Sequence, residues 1–191
     1  MTDLTRLDDE ATYTELDLEG SELDDQRASG VTIRESRLTD VSLGGSKLEA
    51  LALTDVRIDR GNLANVQARR ANLRAVAITG ARMTGIALTD ATLTDVTIRG
   101  CRLDLASFNG SRLTRVTFED CLMRQSDAMG AELDGVRLHR CDLTEFDLRD
   151  ATLKGCELHD CALDGLLGAD RLRGTTMPWA DVVGNAALWA A

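Results

Sequence analysis

Residues 91–120 read ATLTDVTIRG CRLDLASFNG SRLTRVTFED. Every fifth residue of this stretch is large and apolar: Leu93, Ile98, Leu103, Phe108, Leu113 and Phe118. The residue two places before each is small or apolar: Ala91, Val96, Cys101, Ala106, Ser111 and Val116. The other three places hold the charge. Two inward residues in every five fit neither the helical period of about 3.6 nor the period of about 2 of a long strand. They fit a very short extended segment followed by a turn, repeated.

Stepping outward by fives, the apolar column runs from Tyr13 to Leu163. Its 31 positions hold nineteen Leu, four Ile, two Phe, two Met, three Ala and one Tyr, and none is polar. Apolar residues make up 43% of the chain, so an unbroken column of this length is not chance. The companion column, from Ala11 to Cys161, contains one large polar residue, Gln26. Gly or Asp often fills the last place of the five, as at Gly20, Gly30, Asp40, Gly80, Asp90 and Gly100, and both tolerate the backbone of a turn.

Composition limits what such a chain can be. Aromatics are only 3% of 191 residues, so the core is built from Leu, Ile, Val, Ala and Cys. The net charge of −10 argues against nonspecific binding to DNA or to an anionic membrane, which both need a basic surface. No apolar run approaches the ~18–20 residues of a membrane span. The polar, acidic stretch Met1 to Glu10 does not read as a signal peptide. Five cysteines, an odd number without an extracellular signal, suggest reduced thiols and a cytoplasmic protein.

The five-residue pattern resembles the pentapeptide-repeat family, whose motif is roughly A(D/N)LXX. Clear copies are Ala71-Asn72-Leu73, Cys141-Asp142-Leu143 and Cys161-Ala162-Leu163. The resemblance covers residues 11–165 with no slip of phase. It implies an all-β solenoid: a right-handed quadrilateral β-helix with four repeats per coil, so that residues 20 apart stack. At a sheet spacing of ~4.8 Å the rod would be roughly 37 Å long. From Val56 to Cys101 the companion column mostly alternates large and small, which suits four-sided closure. The alternation weakens at Ala106 and Ser126, where Phe108 can supply the missing volume.

Solenoid ends expose apolar surface and need covering. Residues 1–10 lie outside the phase, as a small cap or a disordered tail. Residues 166–191 read as a helical C-terminal cap and dimerisation segment. Pro178 suits the first turn of a helix, and Trp179, Val182, Ala186 and Trp189 recur at helical spacing. Gly184-Asn185 offers a break in that helix.

Chemistry-bearing clusters are few. Cys101, Cys121, Cys141 and Cys161 are each 20 apart, which makes a vertical ladder about 14 Å long rather than four sulfurs converging on one ion. They read as small core residues, as does Cys156. His139 and His159 share an outward column below Glu119, with Glu157 and Asp160 close by. That column reads as a solvated face, and no metal ligand is assigned. The sequence has no nucleophile–base arrangement, no phosphate-binding glycine loop and no zinc motif of the usual spacings. The expectation is a binding protein that is not an enzyme and has no cofactor.

Members of the family linked to quinolone resistance imply a partner: an acidic rod that resembles duplex DNA and binds DNA gyrase, for resistance or for self-protection against a toxin. Duplex DNA carries about one charge per ~1.7 Å, or ~22 over this length, more than twice the charge here. Residues 1–25 carry ten acids and one base, residues 26–131 carry 15 bases and 11 acids, and residues 132–165 carry nine acids and four bases. Mimicry would therefore use the ends. Glu22, Asp24 and Asp25 at one end, with Asp142 and Glu145 at the other, are the candidate partner-binding residues. A homodimer is expected through Trp179, Val182, Leu188 and Trp189. Direct nucleic-acid or membrane binding is not expected. The alternative is a generic protein-interaction scaffold with another partner.

Overall fold

The computed structural model describes residues 4–186, which form a parallel β-solenoid of about 7 turns followed by one short helix. One coil takes twenty residues, so that Thr92, Leu93 and Thr94 pair in register with Arg112, Leu113 and Thr114. Each coil has four faces. Face A carries eight parallel three-residue strands from Thr12–Thr14 to Thr152–Lys154. Face B carries eight more, from Asp17–Glu19 to Glu157–His159. Faces C and D, centred on the Leu23 and Ala28 columns, are joined by isolated bridges such as Arg82↔Arg102 and Ala87↔Ser107. One strand pair, Arg27–Ser29 with Lys47–Glu49, interrupts that pattern on face D.

The corners explain why the repeat is five residues long. Each fifth residue from Glu10 to Gly165 has positive φ; 21 of them are not glycine. A left-handed L-residue costs about 1–2 kcal/mol. The ladder offsets this cost, because the corner N–H donates to a carbonyl one coil on, as Asp40 does to Asp59 at 2.9 Å and Arg60 to Thr79 at 2.8 Å. Corners after faces C and D are also closed internally: Ala106 N–H donates to the Leu103 carbonyl at 2.9 Å and Ser111 N–H to Phe108 at 3.1 Å. A left-handed third residue under such a bond marks a type II turn. Corners after faces A and B lack this bond, and there the chain runs extended for three residues instead.

The apolar column lies inside. Of its 31 members, only Tyr13 near one end and Leu153 near the other are less than fully buried. Phe108 and Phe118 meet edge to face at 5.7 Å between ring centroids, filling the section where Ala106 and Ser126 are small. The companion column has a second task. Ser111 Oγ accepts the Ala91 N–H at 2.9 Å and donates to the Leu88 carbonyl at 2.5 Å. Cys101 Sγ likewise accepts from Ala81 N–H and donates to the Ile78 carbonyl. Small polar side chains thus satisfy inward backbone groups that would each cost about 1–3 kcal/mol if left unpaired.

The ends are covered by different means. Leu7 is buried in the core, and its N–H donates to Gln26 Oε1 at 3.0 Å, which accounts for the one large polar residue of the companion column. At the other end a short 3-10 helix, Ala169–Leu172, turns inward. Leu166 and Leu172 are buried there and Met177 packs against them. Thr176 then pairs beside Glu157, and its carbonyl accepts the Leu158 N–H at 2.9 Å.

Helix α1, Trp179–Gly184, is six residues long and buries no side chain. The C-terminal helix expected from the sequence is present, but it is short and turns no side chain into the core. Trp179 is 79% exposed, because the last coil is already covered by Leu166, Leu172 and Met177. The helix is held by a polar contact instead, Asp160 N–H to Asp181 Oδ2 at 2.7 Å. It ends at Gly184, where Asn185 Nδ2 donates to the Asp181 carbonyl at 2.8 Å. Leu188 and Trp189 lie outside the described residues. Among the described residues no helix is long and apolar enough to cross a membrane.

Candidate protein-binding surface

The flat faces offer no deep cleft. An internal apolar space of about 40 Å³, among residues such as Leu48, Leu73 and Met83, is small and carries no polar group to hold a ligand. Function is therefore to be sought on the outside, and outward residues are organised in columns of twenty-residue spacing.

Through the middle and the C-terminal coils, these columns pair opposite charges. Arg60 bonds Asp40 at 2.7 Å, Arg115 bonds Asp95 at 2.6 Å and Arg112 bonds Glu132 at 2.8 Å, each one coil apart. Arg140 holds both Asp120 and Glu119, while Arg99 reaches Glu119 from the other side. These bonds lower the Glu119 carboxyl below its ordinary range, Arg140 contributing most and Arg99 next.

The first coil is different. Glu10, Glu15, Asp17, Glu19, Glu22, Asp24 and Asp25 are all exposed, and among the described residues none forms a salt bridge. Asp8, just before this coil, does pair, with Arg6. The seven acids run from the corner before face A, across face B and face C, to the corner before face D. They form a collar around the rod. An acidic ridge rises from it along one corner: Glu15, Glu35 and Asp55 stack one per coil, exposed and without salt bridges. The ridge was not singled out in the sequence, although reading the outward positions by twenties would have found it.

The two sets of candidate partner-binding residues, at opposite ends of the rod, differ in their surroundings. Glu22, Asp24 and Asp25 lie side by side along face C, where the Asp24 carboxylate accepts from the Ser42 hydroxyl. Asp142 and Glu145 lie on the same face six coils away. Asp142 is half-buried, bound by Arg124 at 2.5 Å and by the Thr144 hydroxyl at 2.6 Å. Glu145 accepts from Gln125 at 2.8 Å. The second group is already occupied within the molecule.

All five cysteines are buried, unbridged thiols. Burial pushes Cys101 up to about 11, so its sulfur stays protonated and serves the backbone. His139 and His159 lie one above the other with ring centroids 5.0 Å apart and planes tilted by 54°, and Glu157 joins them.

A solenoid with this period and these corners defines a class of protein, and comparison identifies it. The family model for the pentapeptide repeat region matches residues 71–148 and 91–167, together just over half of the chain. The chain belongs to the pentapeptide-repeat family. Among solved structures it is similar in fold to a trypsin-treated form of QnrB1, a plasmid-mediated fluoroquinolone resistance protein. The identity is 16% over 94% of this chain and 98% of that one, with a TM-score of 0.63. It also matches HetL, a pentapeptide repeat protein involved in heterocyst differentiation regulation from the cyanobacterium Nostoc sp. strain PCC 7120, at 17% identity over 90% of this chain and 91% of that one, with a TM-score of 0.31. No curated protein sequence matches the chain.

Proposed function

We propose that this protein is a non-catalytic, cytoplasmic binding rod whose N-terminal acidic collar docks on a protein surface built to receive DNA, with DNA gyrase as the expected partner. The observation that carries this reading is the set of seven exposed acids on the first coil that form no salt bridge among the described residues. Such a set projects its charge outward, where it raises the rate of encounter with a basic groove and favours that groove over neutral surfaces. QnrB1, a fluoroquinolone resistance protein, has the same kind of fold, which makes a topoisomerase the first partner to test. The rod itself is acidic and is not proposed to bind nucleic acid or membrane.

The test is a gyrase binding and supercoiling assay, with and without a quinolone, at two salt concentrations. Binding should fall steeply with salt, since exposed charges are screened beyond ~8 Å at physiological ionic strength. Salt-independent binding would exclude the collar as the docking surface. No binding at all would leave the alternative, a scaffold with another partner.

A further inference from the structure

The cluster on face B near the C-terminal end has a chemistry that the collar does not use. Strands Arg137–His139 and Glu157–His159 are adjacent and in register, so His139 lies directly over His159. One ligand atom each from His139, Glu157 and His159 lies within 4.8 Å of the other two. All three side chains are half-buried. Two stacked imidazoles on a parallel ladder could by themselves be a simple ring stack. A second observation points elsewhere: His139 Nε2 is buried and has no hydrogen-bond partner. Buried polar atoms are almost always partnered, and an orphan calls for an ion or a water.

The surrounding charges allow a cation. Glu119, next in the column, is engaged by Arg99 and Arg140 and is not available as a ligand. Arg137 approaches Glu157 through one oxygen only, at a loose 3.5 Å. Asp160 and Asp181 add negative charge at the rim, joined by their own hydrogen bond. Two imidazoles and a carboxylate are the donor set of borderline first-row divalent cations rather than of calcium or magnesium. Metal–ligand bonds of ~2.0–2.1 Å place tetrahedral ligands ~3.4 Å apart, so the three donors need close by only about an ångström or less each.

We propose that His139, His159 and Glu157 form a zinc-class metal site that staples the last two coils together where the C-terminal segment docks. The geometry leaves a remaining coordination position to solvent. Thr176 pairs directly beside Glu157, so a bound ion would also stiffen the join between the rod and its C-terminal segment.

The test uses the full chain, stripped of metal, under reducing conditions. Titration with Zn²⁺ alone should show one equivalent bound at micromolar free metal. Saturation should raise the melting temperature by roughly 5 °C. Co²⁺ should give the visible bands of nitrogen and oxygen ligation without a sulfur charge-transfer band. His159→Ala should weaken binding at least ~100-fold, more than the loss of a partner that merely orients a ligand. Glu157→Gln should weaken it by about 10-fold, a milder change that keeps the strand's shape. Metal-free melting of both variants should match that of the parent, which separates lost binding from lost folding. Binding only at millimolar Zn²⁺, a sulfur band with Co²⁺, or unchanged affinity in the His139→Ala/His159→Ala double variant would each overturn the site.

Discussion

The first coil and the C-terminal coils are both rich in acids, yet they present different surfaces. Near the C-terminus, Glu132, Asp142, Asp147 and Glu157 each have an arginine within salt-bridge distance, and Asp134 has Lys154. In the first coil, Glu15, Asp17, Glu19, Glu22, Asp24 and Asp25 have none. Net charge summed along the sequence marks both ends simply as acidic. The field outside the rod does not, because a carboxylate beside a guanidinium is largely cancelled at a distance. The lesson is that charge in a solenoid must be counted by column, at the twenty-residue register, before it is counted by segment.

The strongest way to test the difference between the ends and the body is through the core. Leu103 is fully buried in the middle of the rod, whereas Leu7 covers one end. A buried, unpaired carboxylate costs several kcal/mol, a large part of a total stability of ~5–15 kcal/mol. Leu103→Asp should therefore abolish cooperative thermal unfolding monitored by circular dichroism. Leu7→Asp should lower the midpoint but leave the remaining coils folded, since each coil touches only its neighbours. Equal damage from both would mean that the end is not a separable cover.

A smaller effect separates the two acidic groups directly. Neutralising the collar with Glu22→Gln, Asp24→Asn and Asp25→Asn should weaken partner binding at least 10-fold, about 1.4 kcal/mol. Asp142→Asn with Glu145→Gln should change it little, because those carboxylates are already bonded within the rod. The reverse ranking in a binding assay would move the interface to the other end.

Smaller again is the response to acid. Glu119 has a lowered folded value through Arg140 and then Arg99, so its stabilising contribution is complete above the ordinary glutamate range. That contribution is lost as the pH falls below the ordinary glutamate range and through the lowered value. Carboxyl NMR titration should find Glu119 protonating later than free glutamate. An ordinary midpoint, or one above it, would show that the arginine bonds do not persist in solution.

Much of the fold was legible because a period of five admits few solutions. The apolar column named the core residue by residue, and the resemblance supplied the coil length. The serine and cysteine positions were legible as small and inward, but not as backbone partners, which requires knowing that inner corners orphan an N–H and a carbonyl. Gln26 looked like an exception until Leu7 was seen to need its oxygen. At the candidate surface, Glu22, Asp24 and Asp25 were legible as a cluster. The neutralisation of Asp142 by Arg124 was not, because it joins residues eighteen apart across neighbouring coils. Trp179 was legible as a contact residue of the C-terminal helix, but its surroundings were not. Helical spacing shows which residues share a side of a helix, but not whether that side meets the core, and three other apolar residues already cover it.

That exposure leads to the last and smallest effect on stability. Trp179 is 79% exposed and Val183, four residues on along the same helix, is 54% exposed. Removing so exposed a side chain deletes little buried area from the single chain, so Trp179→Ala should leave the monomer's melting within the roughly 0.5 kcal/mol expected of a surface change. A solvated tryptophan is nevertheless costly surface, and tryptophan is enriched at the centres of interfaces. A homodimer through the C-terminal segment would cover it. Sedimentation at micromolar concentration should then show a dimer for the parent chain and a monomer for Trp179→Ala. A monomeric parent would remove the dimer altogether, while a dimer that survives the substitution would place the interface away from α1. Such a dimer would put the salt-bridged coils at its centre and the two acidic collars at its outer tips, where each could meet a basic surface independently.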